Sequence, residues 1–208
     1  MFALAIAAIA PAMAQHGRLF PPEQLGILEG PDRDAWQRPD QVMDALNIYD
    51  GNVVADLGAG GGWFTVRLAQ RVGPNGRVYA EDVQRQMIEA IERRVAREQL
   101  TNVKTILGTQ SDPRLQEPVD AVLIVDAYHE MEHPVELLRN VAAMLKPNGR
   151  IGILNFRKDG HGPGPPLDER VDPERIISDL EAAGLRLIAR PNFLRYQNML
   201  VFGKSAPK

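Results

Sequence analysis

Residues 53–62, V-V-A-D-L-G-A-G-G-G, constrain what this chain can fold into more than any other stretch. Val53 and Val54 are β-branched and suit a buried strand. The run ends in a carboxylate, Asp56, and then places four glycines within five residues. Glycines admit backbone angles, and a closeness of approach, that any Cβ forbids. Phe64, Leu68 and Val72 follow at helical spacing on one side of the next segment. Strand, glycine turn and helix N-terminus together make a place where backbone amides and the helix dipole face a ligand. The stretch reads as a nucleotide-cofactor pocket.

Downstream, strand and helix patterns alternate. A helix over 62–72 and the turn Gly73-Pro74-Asn75-Gly76 lead to a strand over 77–80, closed by the acidic pair Glu81-Asp82. Met87, Ile88, Ile91 and Val95 stripe a helix over 84–99. A third strand at 103–107 and a loop over 108–117 precede a fourth, A-V-L-I-V, which ends at Asp126. A helix over 134–145, a turn at Lys146-Pro147-Asn148-Gly149 and a strand over 150–155 follow. Residues 158–166, K-D-G-H-G-P-G-P-P, read as a surface loop. The last helix, 172–183, is stopped by Gly184, and strands at 185–189 and 196–202 complete the chain. Only residues 190–195 separate those two strands, too short for a parallel crossover of about a dozen residues. The expected fold is therefore α/β: a Rossmann-like three-layer sandwich whose seven-stranded, mostly parallel sheet has an antiparallel last strand.

Before this domain, assigned to 51–208, residues 15–50 are expected to form a lid or cap. Residues 15–35 are rich in Pro, Gly and charge and predict irregular backbone. Residues 36–46 predict a helix with Pro39 near its start. Trp36 and Phe20 are candidates for covering a ligand or for packing. Residues 1–14, an apolar run ending in Ala12-Met13-Ala14, read as a cleaved export signal; a buried helix and a cytoplasmic protein are the alternative. The run is too short to span a bilayer comfortably, which takes about 20 residues.

Charge narrows the partners. With 24 basic and 27 acidic residues, net charge −3 and no run of Lys and Arg, the chain has no phosphate-tracking stripe, which argues against nucleic acid. The absence of cysteine removes disulfides, thiolate metal sites and cysteine nucleophiles.

Glu81 lies a little over twenty residues past Gly58, near the spacing of an acid that binds a ribose hydroxyl. Nicotinamide dinucleotides and S-adenosylmethionine both carry such a ribose. Asp56, inside the pocket, would repel a pyrophosphate yet accept a hydrogen bond from an ammonium group, which favours S-adenosylmethionine.

Four motifs then carry a resemblance: D-L-G-A-G-G-G at 56–62, A-E-D at 80–82, V-D-A-V-L-I-V-D-A-Y-H-E at 119–130 and L-K-P-N-G-R-I at 145–151. Together, in this order, the chain from about Val53 to Phe202 resembles class I S-adenosylmethionine-dependent methyltransferases, near the quinone-ring and other small-molecule enzymes. The resemblance implies cofactor contacts at Asp56, Gly58, Ala59, Gly60, Gly62, Glu81, Asp82, Gly108, Thr109 and Asp126. In it, Gly58 and Gly60 serve the methionine portion through the backbone. Glu81 holds the ribose, Asp82 lies beside the adenine, and Gly108-Thr109 edge it. Many members carry an acid directly after the glycine of strand three; here Thr109-Gln110 stand there, with Asp112 later.

The implied reaction is in-line methyl transfer to a small-molecule acceptor. His129 is the candidate base and Tyr128 a residue to pack on or orient the acceptor; a structural hydrogen bond is the plain alternative for His129. His161, Asn155, Arg157 and Tyr196 are weaker candidates. Residues 129–133, H-E-M-E-H, match a zinc-peptidase pattern, but Pro134 disfavours helical geometry at His133, so no metal site is expected. A non-catalytic binding module and an NAD-dependent oxidoreductase are the rivals. The sequence does not address oligomeric state.

Overall fold

The structure, a computed structural model, describes residues 19–204; the expected export signal at 1–14 lies outside them. A 3-10 helix over Pro22–Glu29 and two short helices, α1 (Arg33–Gln37) and α2 (Pro39–Ala45), precede the sheet. Strands β1 (Val53–Leu57), β2 (Arg77–Asp82) and β3 (Val103–Leu107) then alternate with α3 (Trp63–Val72) and α4 (Arg85–Arg97). Strand β4 (Val119–Val125), α5 (Pro134–Met144), β5 (Leu145–Phe156), α6 (Pro173–Ala182), β6 (Leu185–Ala189) and β7 (Gln197–Lys204) complete the order.

The seven strands form one sheet in the order β3-β2-β1-β4-β5-β7-β6. Strand β7 runs antiparallel to both neighbours, and the remaining pairs are parallel. The short 190–195 connection forces that reversal, as its length implied. Alternate strand residues feed two cores. Ala55, Leu57, Val122 and Ile124 pack with α5 and α6 on one face. Val54, Ala121 and Leu123 pack with α2 and α3 on the other. The order reverses between β1 and β4, and the crevice at their carboxyl ends is where an open α/β sheet takes its ligand.

Three local expectations change. The irregular 15–35 region contains a 3-10 helix and the start of α1, although no residue of that 3-10 helix is buried. The single helix expected over 36–46 is split at Arg38, whose φ of 47° is left-handed. Pro39 excludes Arg38 from right-handed helix because its ring crowds the preceding residue. The turn expected at 146–149 lies inside β5 as an excursion: Val119 pairs with Leu145, and Ala121 next pairs with Arg150. Lys146 anchors it with an ion pair to Asp120 at 2.8 Å.

Candidate active site

The glycine turn leaves β1 through backbone that side chains resist: φ is 65° at Gly58, 55° at Gly60 and 77° at Gly62. A Cβ at Gly58 would also stand 2.4 Å from the Ala127 Cβ, so the turn and the end of β4 close on each other only over glycine. The amides of this turn do not face outward. Gly58 donates to Glu81 Oε2 at 3.4 Å and Ala59 to the Glu81 carbonyl at 2.9 Å. Gly60 donates to Asp82 Oδ2 at 3.0 Å. In the first turn of α3 the Thr65 amide is taken as well. Asp56 accepts the Thr65 hydroxyl at 2.7 Å and the Thr65 amide. The expectation of amides and a helix N-terminus directed at a ligand is therefore corrected here. Carboxylates from β1 and β2 hold those donors, because strands ending in Asp and Glu deliver acids to the same crevice.

That crevice is a cavity of about 620 Å³. The turn and the carboxyl ends of β2 and β4 form its floor. Residues of the 19–36 segment cover it, and the 163–166 loop and Tyr196 close one side. Among the described residues, eight carboxylates line it against a single guanidinium, that of Arg33. Burial pushes Asp56 up to about 6, Glu81 to about 8, and Asp126 and Glu130 to about 7. Burial raises Asp82 as well.

Such a lining tests the two cofactors. A pyrophosphate would find its amide donors engaged and a ring of acids around it, which tells against a dinucleotide. S-adenosylmethionine brings an ammonium, a sulfonium and ribose hydroxyls, and an acidic, donor-poor cavity suits all of them. The groups present fit it.

Most residues expected from the sequence meet at this cavity: Asp56, Gly58, Ala59, Gly60, Glu81, Asp82, Thr109, Asp126 and His129 all line it, as do Phe20, Trp36 and Tyr196. Gly62 caps α3 beneath the turn. Gly108 stands behind Glu81, where a Cβ would fall 1.8 Å from Oε1; its lack of a side chain makes room for the acid. Asp82 holds the Gly60 and Gln84 amides, so its carboxylate braces the turn. Thr109 folds its own loop, accepting the Asp112 amide at 2.9 Å. Asp126, held at φ 53°, accepts Gln197 Nε2 at 2.9 Å.

Tyr128 is a correction. Its side chain is 4% exposed, packs in the α5–α6 core, and donates its hydroxyl to Asp179 Oδ2 at 2.7 Å. The 3-10 turn over Tyr128–Glu130 sends adjacent side chains to different faces, so His129 and Glu130 line the cavity and Tyr128 anchors the core. His129 Nε2 lies 3.9 Å from Glu130 Oε1. His133 instead caps α5 beyond an extended residue at Met131. The two histidines of H-E-M-E-H are therefore not on one helix face. No cluster of metal-binding side chains occurs among the described residues.

Asn155 and Arg157 bind backbone carbonyls at Val171, Gln197 and Leu194, away from the cavity lining. His161 sits in an exposed loop. Sequence reasoning missed Arg33, Gln37 and Gln197. Only their eventual burial singles them out, and no local pattern carries that.

Residues 54–149 match the family model described as a methyltransferase domain. A solved S-adenosylmethionine-dependent methyltransferase from Aquifex aeolicus superposes with a TM-score of 0.83 at 26% identity, covering 88% of this chain and 98% of that one.

The chain carries a methyltransferase domain.

The methyltransferase domain is also similar to the ubiquinone/menaquinone biosynthesis C-methyltransferase of Ectopseudomonas mendocina (strain ymp). That match is 29% identical over 178 residues, 82% of this chain and 65% of the relative. The demethylmenaquinone methyltransferase of Geobacillus sp. (strain WCH70) is 29% identical over 116 residues, 55% of this chain and 50% of the relative. The chain thus spans about half to two thirds of the length of these curated relatives.

Proposed function

We propose that this protein moves the methyl group of S-adenosylmethionine to a small, non-anionic aromatic acceptor. The observation that carries the reading is the charge of the cavity: among the described residues, eight carboxylates and one guanidinium line it. A cationic cofactor and an uncharged or cationic acceptor fit such walls; a carboxylate or phosphate acceptor does not. Three rings supply the aromatic preference, with Trp36 5.9 Å from Phe156 and 6.0 Å from Tyr196, centroid to centroid. All three line the cavity. The names of the relatives, a demethylmenaquinone methyltransferase and a ubiquinone/menaquinone biosynthesis C-methyltransferase, support the same class of acceptor.

In this reading Glu81 receives the ribose hydroxyls, and Asp56 and Asp126 face the cationic end of the cofactor. The cofactor supplies a methyl group on a sulfonium that is already a good leaving group. The protein aligns the acceptor and keeps water out. His129 takes the proton when the acceptor is an O–H or N–H. The described residues up to 50 act as a cap over the domain that begins at 51, and nucleic acid is not a substrate. Export and cleavage after Ala14 belong to the same proposal, and intact mass of the protein recovered outside the cytoplasm tests them.

The test of the activity uses the full chain with radiolabelled S-adenosylmethionine and matched acceptors: hydroquinones, phenols, aromatic amines and the corresponding ring carboxylates. Label in the neutral and amine acceptors but not in the carboxylates supports the proposal. Equal transfer to the carboxylates overturns the acceptor class. Cofactor binding with no transfer to any acceptor makes the protein a binding module instead.

A further inference from the structure

The cavity has a charge imbalance that S-adenosylmethionine answers only in part. Its ammonium and sulfonium suit the acids, but it also carries an α-carboxylate, which eight acidic neighbours would repel. One cation lines the cavity among the described residues. Arg33 comes from α1, in the segment that covers the site rather than from the sheet. Its guanidinium is built in: Nε donates to Gln37 Oε1 at 2.6 Å and Nη1 to the Leu28 carbonyl at 2.6 Å. Its plane stacks 4.2 Å from the ring of Trp63, the first residue after the glycine turn. Arg67 covers the same ring at 3.4 Å and pairs with Asp34, tying α1 to α3. Gln37, fully buried, passes the tether on to Gln197 at 2.9 Å, and Gln197 bonds Asp126. Arg33 is thus a fixed cation beside the glycine turn, with Asp126 and Asp56 as its attractive neighbours. Nη2 makes no hydrogen bond within the described residues. Burial lowers its pKa to about 10, so it stays charged at neutral pH.

We propose that Arg33 binds the α-carboxylate of S-adenosylmethionine, an inference that rests on the cofactor assignment above. A guanidinium held at two nitrogens and stacked on a ring keeps a third nitrogen for a carboxylate oxygen, at little further entropic cost. Because Arg33 belongs to the covering segment, the bond would also fasten that segment over the bound cofactor.

Isothermal titration of the full chain tests this directly, comparing S-adenosylmethionine with decarboxylated S-adenosylmethionine. The two share sulfonium, amine and nucleoside and differ in the carboxylate. The wild type is expected to prefer the carboxylated form by about tenfold to a hundredfold, the range of a charge-assisted hydrogen bond lost from a partly buried site. Arg33→Ala is expected to lose that preference and to favour the decarboxylated form, because the acids then meet the carboxylate unopposed, and Arg33→Lys to keep part of the preference. The ratio of the two affinities is the readout, so a general loosening of the segment, which weakens both ligands alike, does not imitate the result. Melting temperatures confirm that each variant is folded. No preference in the wild type, or an undiminished preference in Arg33→Ala, overturns the proposal while leaving the cofactor assignment intact. Failure of the wild type to bind either ligand removes the cofactor assignment and this inference with it.

Discussion

Asp82 Oδ2 accepts the Gly60 amide at 3.0 Å, joining the last residue of β2 to the middle of the glycine turn. Its other oxygen accepts the Gln84 amide at 2.9 Å, just before α4. One buried carboxylate thus sets both the turn and the start of the next helix. Asp82→Ala leaves two buried donors without a partner, a cost of about 1–3 kcal/mol. The variant is expected to melt lower and to bind S-adenosylmethionine at least about tenfold more weakly. Asp82→Asn keeps one acceptor and should fall between. Thermal denaturation and calorimetric titration on the three proteins check the order.

Gly108 tests the placement of Glu81 without touching it. An alanine methyl there would meet Glu81 Oε1 at 1.8 Å and Cδ at 2.8 Å. The acid has to swing away, since the two cannot share that space. Gly108→Ala is therefore expected to fold, because the clash is with a side-chain tip and not with backbone. Its affinity for S-adenosylmethionine should fall by about tenfold or more, the worth of a charge-assisted hydrogen bond. Unchanged affinity by titration would remove Glu81 from the binding site.

Tyr128 and His129 are neighbours in sequence with opposite duties. Tyr128→Phe loses the 2.7 Å bond to Asp179, which Arg175 still meets at 2.9 Å. The expected cost is about 1–2 kcal/mol of stability, with methyl transfer and cofactor affinity unaltered. His129→Ala should leave stability nearly unchanged and lower turnover on O–H and N–H acceptors by about a hundredfold. Paired unfolding curves and rates on the two variants separate the roles.

The acids of the cavity give the protein a characteristic pH response. Asp56, Asp126, Glu130 and Glu81 all have folded-state values raised by burial, to between about 6 and about 8. In the unfolded chain each returns to the ordinary carboxylate range. Across that window the folded state holds more protons than the unfolded one, so stability falls as pH rises. Their stabilising contribution is complete below about pH 4 and gone above about pH 8. The ligand-free melting temperature is expected to decline over that range. Binding of a cation favours the ionised acids, so affinity should rise with pH and binding should release protons. Titrations in buffers of different ionisation enthalpy measure that release.

The layered fold, the reversed last strand and the two acids that end β2 follow from local sequence. Glycine turns, alternating apolar runs and the short 190–195 connection act on neighbours in the chain, where spacing alone decides geometry. Asp56, Gly58 and Glu81 could be placed in one crevice for that reason. What tertiary structure decided is where each polar atom finds its partner. The turn's amides were expected to face a ligand, and they face Glu81 and Asp82 because β2 packs beside β1 and delivers its acids there. Tyr128 was expected in the site, and a single 3-10 turn rotates it into the core while His129 stays outside. Arg33 sits in a stretch with no strand or helix signature of its own, and Gln37 stands at the start of the predicted helix with nothing local to mark it. They matter only after folding sets them on Trp63 and Gln197, the latter 160 residues from Gln37 along the chain. Periodicity records which face of an element is buried; which hydrogen bond a buried group makes depends on segments it meets from far away.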